Sequence, residues 1–334
     1  ASDVYKRQGL DWLHIKRAHV YPRATETIPE MIALIKKLEQ KGFAYETDDG
    51  VYFNIKKFQT YGQLVDIDLS QQKIGERARS DEYDKENVQD FALWKKSTSD
   101  EIERGIFYES PWGKGRPGWH IECSAMSMKY LGETIDIHTG AVDLKFPHHQ
   151  NEIAQSEAAT EKLFVRYWLH GEFLNLKEEK MSKSLGNITS LHDLMASFEP
   201  DAIRYFFLST RYDAILVFTE EKLVSAKNSV ERLQTTLENV KARLRALTLG
   251  SPLAHREQAL LKEAQKTRKE FEEAMDNNFD TPKGLKAIHE LSRALNKYLE
   301  GEEINEGILL EAFEIYQLLP VSYTHLTLPT KRIV

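Results

Sequence analysis

Gly118-Trp119-His120-Ile121-Glu122-Cys123 and Phe146-Pro147-His148-His149-Gln150-Asn151-Glu152 are the two stretches from which the rest of the chain can be read. The first ends on the only cysteine in the sequence, and the second spaces a histidine and a glutamate four residues apart. That spacing puts His148 and Glu152 on one face of a helix, able to turn towards a single ion. Thiolate, imidazole and carboxylate are all zinc ligands, so Cys123, His148 and Glu152 are the candidate metal set. Three ligands leave at least one coordination position to be filled. Each residue also has a plainer reading: a lone cysteine as core packing, and His-x-x-x-Glu as a solvated helical pair. Cys123 falls near an expected helix start, where the helix dipole would favour its thiolate. His149 is expected to face elsewhere, behind the ligands.

Cys123 to Leu131 reads as a short helix, and Thr134 to His138 alternates like a strand. Pro147 opens a helix to about Lys162, and Phe164 to Leu176 is strand-like. Strand, helix and strand in turn predict a parallel sheet with crossover helices. Such sheets place ligands at the carboxyl ends of their strands, so His138, the loop carrying Asp143 and the loop that follows are candidates for that edge. The last of these is Lys180-Met181-Ser182-Lys183-Ser184-Leu185-Gly186-Asn187. Its two ammonium groups and two hydroxyls suit a triphosphate and can stabilise charge developing on a departing pyrophosphate. A solvated turn is the plain alternative.

Upstream, Pro22 to Pro29 is polar, and Pro29 suits a first helical turn. Met31, Ile32, Leu34, Ile35 and Leu38 recur at helical spacing until Gly42. Tyr45 to Ile55 reads as a hairpin turning at Asp49-Gly50, and residues 56–100 as a loop-rich insertion rather than core. From Pro111 to Gly118 the chain is a glycine- and proline-punctuated loop. Downstream of Leu191 it is helical. Leu223, Ala226, Val230, Leu233, Leu237, Val240 and Leu244 form the seam of a packed helix. A second helix is expected from about Arg256 to Met275, and a third from Thr281 as N-cap and Pro282 in the first turn. A fourth is expected from near Glu306.

The composition is that of a globular protein: 334 residues, 41% hydrophobic and 29% charged. A net charge of −7 argues against a generally basic surface while leaving room for a local basic patch. One cysteine excludes an internal disulfide and suits a reducing, cytoplasmic setting. No apolar run approaches the roughly 20 residues that span a bilayer, so no membrane association is expected. Residues 1–8 and 320–334 read as translated adapter text and are set aside from the fold.

On GWHIECSAM, FPHHQNEIAQS and KMSKSLGN, the chain resembles cysteinyl-tRNA synthetase, a class I aminoacyl-tRNA synthetase, from about Leu10 to Leu319. The resemblance implies an α/β fold, the second half of a Rossmann-type parallel sheet with an inserted connective segment, followed by an α-helical bundle. The connective segment and flanks would be residues 9–117, and the second half of the catalytic domain residues 118–176. The KMSKS loop and stem-contact region would follow at 177–235, and the bundle at 236–319. It implies zinc held by two cysteines, a histidine and a glutamate, of which Cys123, His148 and Glu152 match three. Lys180 and Lys183 would serve catalysis, with Lys183 contacting ATP, which would arrive with magnesium. Trp119 would wall the cysteine pocket and Asp143 would meet the substrate amino group; by themselves these two residues read as a core aromatic and a turn residue. The implied reaction activates L-cysteine as cysteinyl-adenylate and transfers it to tRNA(Cys). The family's HIGH-type motif and its first zinc cysteine are absent, as is its anticodon-reading region, so this stretch by itself is expected to be inactive. A cysteine ligase of thiol biosynthesis, acting on an amino sugar, and a non-catalytic zinc or RNA-binding module are the rival readings. Asp280 stands where the family suggests Asn.

Overall fold

Hydrophobic seams at helical spacing and short apolar strands are the raw material, and in a computed structural model they assemble into two units. One comprises residues 19–171, the other residues 1–18 with 172–334. The structure describes residues 2–66, 89–176, 179–180, 190–246, 255–301 and 304–322. The first helix, α1 (Ser2–Trp12), belongs to the second unit.

The 19–171 unit opens with α2 (Ile28–Gln40), which has its proline in the first turn and buries Ile28, Met31, Leu34, Ile35 and Leu38. Gly42, at φ +78°, ends the helix in the left-handed region that glycine adopts without steric cost. The expected hairpin follows as β1 (Ala44–Glu46) and β2 (Gly50–Phe53), antiparallel, with Glu46 opposite Val51.

The structure corrects the reading of residues 56–100 as a coreless insertion. β3 (Phe91–Lys96) is an inner strand of a four-stranded sheet, and Phe91, Leu93 and Trp94 are fully buried. Phe-Ala-Leu-Trp is a continuous apolar run covered on both faces, so it shows no alternation for a periodicity argument to find. Phe91 stacks on Phe53 at 4.9 Å, and each such buried side chain contributes about 1.5–3 kcal/mol. After α3 (Ser99–Glu103), β4 (Gly115–Pro117) completes the order β1-β2-β3-β4.

The helix expected from Cys123 starts four residues earlier, as α4 (Trp119–Leu131) with Gly118 as N-cap. A Cβ on Gly118 would strike the Ala92 carbonyl oxygen, so only glycine lets α4 start this close to β3. β5 (Ile135–Ala141), α5 (His148–Thr160) and β6 (Val165–Gly171) then form the expected strand–helix–strand unit. β5 and β6 are parallel, with His138 beside Trp168 and Gly140 beside His170.

The run from Phe164 to Leu176 is two strands in different sheets. After β6 the chain breaks at Glu172-Phe173. β7 (Leu174–Leu176) then pairs with β8 (Glu179–Lys180) and, in parallel, with β9 (Leu216–Phe218). Between them lie α6 (Leu191–Met195) and α7 (Pro200–Leu208). Four helices follow: α8 (Glu220–Ala246), α9 (His255–Asp276), α10 (Thr281–Leu299) and α11 (Glu306–Ser322). The seam predicted for α8 is buried at Leu223, Ala226, Val230, Leu233, Leu237 and Val240, the last three packing in one core with Leu291, Leu295 and Phe313. The cap of α10 is Asp280 rather than Thr281: its carboxylate accepts from the Lys283 N–H at 3.1 Å. No helix among the described residues is long and apolar enough to cross a membrane.

Candidate metal centre

α4 and α5 pack side by side in the 19–171 unit, and the polar face they share is the candidate site. The first half of α5 is buried although almost entirely polar: His148, His149, Gln150, Asn151, Glu152, Gln155 and Ser156 all lie below 5% exposure. Such burial is tolerated where hydrogen bonds replace water. Gln155 donates to the His120 carbonyl at 2.6 Å, Ser156 to Ser124 at 2.8 Å, and the Leu64 N–H to Gln150 at 3.0 Å.

Glu152 is the exception. Its side chain is fully buried and neither carboxylate oxygen has a hydrogen-bond partner. Oε1 sits 2.9 Å from His148 Nε2 without hydrogen-bond geometry, and Oε2 sits 3.7 Å from His138 Nε2. A buried carboxylate left this way is costly unless a cation neutralises it. The three predicted ligands do converge: a thiol sulfur of Cys123, a ring nitrogen of His148 and a carboxylate oxygen of Glu152 lie within 4.8 Å of one another. This sulfur, nitrogen and oxygen set, with an orphaned buried carboxylate at its centre, fits a zinc ion.

Two features differ from expectation. Cys123 lies in the second turn of α4, too deep for dipole activation. Burial first, then Glu152 and Glu122, pushes its thiol up to about 12. The thiol therefore keeps its proton at neutral pH until a bound cation displaces it. His149, expected behind the ligands, joins His138 and Glu152 in a second convergent triad sharing the same carboxylate.

His120 and His170 carry no signal as site residues in the sequence alone. His120 Nδ1 lies 2.8 Å from His148 Nδ1, and His149 Nδ1 lies 2.8 Å from His170 Nε2. With its proton on Nδ1, His148 turns the Nε2 lone pair towards Glu152, the arrangement by which a neighbouring ring fixes a ligand's tautomer. Burial holds the rings neutral: it pulls His120 well below the usual histidine value, lowers His138 and His170, and pushes His149 down to about 3. What places His170 is strand pairing, since β6 in register with β5 puts it beside the carboxyl end of that strand.

Trp119 stacks on His148 with ring centroids 4.3 Å apart, so it borders the metal set directly. Asp143 stands exposed on the short 3₁₀ turn (Val142–Lys145) between β5 and α5. Lys180 ends β8, but its side chain and the whole of Lys183 lie outside the described residues.

The family described as tRNA synthetases class I (C) catalytic domain matches residues 3–228, and the DALR domain matches residues 270–319. The cysteine–tRNA ligase of Thermococcus onnurineus (strain NA1) is 46% identical over 316 residues, 94% of this chain and 65% of that protein. That of Methanosarcina acetivorans is 47% identical over 310 residues, 93% of this chain and 65% of the relative. The chain thus spans just under two thirds of the length of these relatives. Among solved structures, Mycobacterium tuberculosis methionyl-tRNA synthetase in complex with methionyl-adenylate superposes with TM-score 0.68 at 17% identity, over 95% of this chain and 76% of that one, a likeness of fold. With a catalytic-domain match over most of its length, this chain belongs to the class I tRNA synthetase (C) catalytic-domain family.

Proposed function

We propose that the protein is a cysteine–tRNA ligase, acting in the cytoplasm, whose metal centre selects the substrate thiol. The observation that carries the reading is the convergence of Cys123, His148 and the orphaned Glu152 carboxylate. Support comes from relatives named cysteine–tRNA ligase at 44–47% identity. Cys123, His148 and Glu152 would hold zinc, which when bound supplies a soft Lewis-acid site for a thiolate and a poor one for a serine hydroxyl. A site built around a polar or metal bond rejects a substrate that cannot form it far more strongly than an apolar pocket rejects a missing methylene, so no separate editing step is needed.

The chain's own residues supply the rest. Trp119, stacked on His148, walls the pocket and holds that ligand in place. Asp143 would accept from the substrate ammonium. In activation, the cysteine carboxylate attacks the α-phosphorus of ATP, the α–β phosphoanhydride bond breaks and pyrophosphate leaves. Lys180 and Lys183 would stabilise the charge gathering on those phosphates, with magnesium alongside. A terminal ribose hydroxyl of tRNA(Cys) then attacks the activated carbonyl carbon, releasing AMP.

The test is cysteine-dependent ATP–pyrophosphate exchange and charging of a tRNA(Cys) transcript by the protein expressed from its complete gene. Exchange without tRNA charging would point to ligation of cysteine onto another acceptor, and absence of both would sink the proposal. The 334-residue stretch made by itself is expected to show no cysteine-dependent exchange.

A further inference from the structure

The Glu152 carboxylate has two oxygens, and the ligands Cys123 and His148 serve only one of them. Oε1 turns to His148, while Oε2, equally buried and without a hydrogen-bond partner, turns to His138. An ion on Oε1 alone leaves Oε2 unpaired in a dry site, and a buried acceptor left so is costly. His138 and His149 each bring a ring nitrogen to this carboxylate, and the three ligand atoms lie within 4.8 Å of one another. His149 and Glu152 stand at i and i+3 on α5, on one helix face. β5 brings His138 to the same carboxylate from the sheet.

The geometry is that of ligands rather than of a hydrogen-bonded pair. His138 Nε2 stands 3.7 Å from Oε2, too far for a hydrogen bond. Two ligands on one ion, with bonds of about 2.1 Å at a tetrahedral angle, end roughly 3.4 Å apart. The rings are also held as the first ligand set is held. His149 Nδ1 lies 2.8 Å from His170 Nε2. With the proton on Nδ1, the Nε2 lone pair of His149 is left for a cation, just as His120 leaves the Nε2 lone pair of His148. Trp168 lies against both rings, with centroids 4.6 Å from His138 and 4.9 Å from His149, as Trp119 lies against His148. Room for the His149 ring comes from Gly140 on β5, where a Cβ would strike both Cε1 and Nε2 of that ring.

We infer that Glu152 bridges two divalent transition-metal ions, and that His138 and His149 hold the second. Two-ion sites keep their metals roughly 3.5–4 Å apart, a distance one carboxylate spans through its two oxygens. Two imidazoles and a carboxylate oxygen suit zinc, cobalt or nickel and offer no thiolate to a softer ion. With no thiolate and only a share of one carboxylate, the second ion is the more weakly held. This site goes beyond the ligase reading, and its readout is metal content rather than activity.

The experiment is titration of the full, tag-free chain with zinc and with cobalt, reading metal content after equilibrium dialysis and the optical spectrum of the cobalt form. Wild type is expected to take up about two ions per chain. The tighter should show the charge-transfer absorption of a cobalt–thiolate bond to Cys123, and the weaker should not. H138A/H149A should hold about one ion and keep the thiolate band. C123S should lose the band and keep the ion on His138 and His149. His170→Ala removes the partner of His149 without touching a ligand, and should weaken the second ion about 10–100-fold while leaving the first. G140A, which pushes the His149 ring aside, carries the same expectation and replaces the double variant if that one misfolds by circular dichroism. One ion per wild-type chain, or a second ion that H138A/H149A retains, overturns the inference. So does a single ion lost from both C123S and H138A/H149A, which would make the two triads one site. Failure of the complete protein to activate cysteine would sink the ligase reading and leave each of these outcomes as it stands.

Discussion

Glu152→Gln is the most discriminating single change, because the reading of the metal centre predicts that its effect on stability reverses sign with zinc. The Glu152 carboxylate is fully buried, and both oxygens lack a hydrogen-bond partner. An amide costs less to bury than a carboxylate, and relief of an unsatisfied buried group is worth about 1–3 kcal/mol. A domain of this size shifts by about 2–4 °C per kcal/mol. E152Q should therefore melt several degrees above wild type in chelator. With zinc at a hundred times its Kd, wild type gains about 2.7 kcal/mol by mass action, a rise of roughly 5–11 °C. E152Q loses a ligand and should gain little of this. The assay is differential scanning calorimetry of both proteins in chelator and in excess zinc, with metal content measured on dialysed samples. A wild type whose melting is indifferent to zinc would refute the argument. So would an E152Q that is destabilised in chelator or retains one tightly held zinc.

The other predictions concern the helical unit. Asp280→Ala removes the side chain that accepts from the Lys283 N–H and should cost about 1 kcal/mol in urea denaturation, whereas Asp280→Asn, an equally good cap, should cost little. Leu291→Ala empties a fully buried position in the bundle core and should cost about 2–5 kcal/mol, read as a lower denaturant midpoint by circular dichroism. His289 is held below the usual histidine value by burial first, then by Arg232 and Arg293. Its neutral form accepts or donates at Tyr205, 2.8 Å away. The unfolded chain takes up that proton near 6.5 and the folded one only lower. The stability this contributes is thus present above about pH 6.5 and lost as pH falls through the folded value. Urea midpoints should decline from pH 7.5 to 5.5 in wild type, and by less in His289→Gln.

Periodicity and spacing determined much by themselves. The α8 seam, the Asp49-Gly50 hairpin, the Gly42 stop and the strand–helix–strand unit were all legible, because each follows from contacts or backbone preferences within a few residues. The candidate ligands Cys123, His148 and Glu152 were legible as well, two of them from an i, i+4 pattern and the third from being the lone cysteine of the chain. Tertiary structure decided the rest. β3 was illegible because a strand covered on both faces carries no alternation. The split of β6 from β7 was illegible because strand partners lie far away in sequence. The orphaned state of Glu152, the second triad with His138 and His149, and the ring contacts of His120 and His170 depend on how α4, α5 and β6 pack. So does the thiol of Cys123, which sequence assigned to the helix dipole and burial governs instead. Local chemistry names the groups, but whether a charge is neutralised, buried or shared is set by desolvation and distance, which exist only once the chain has folded.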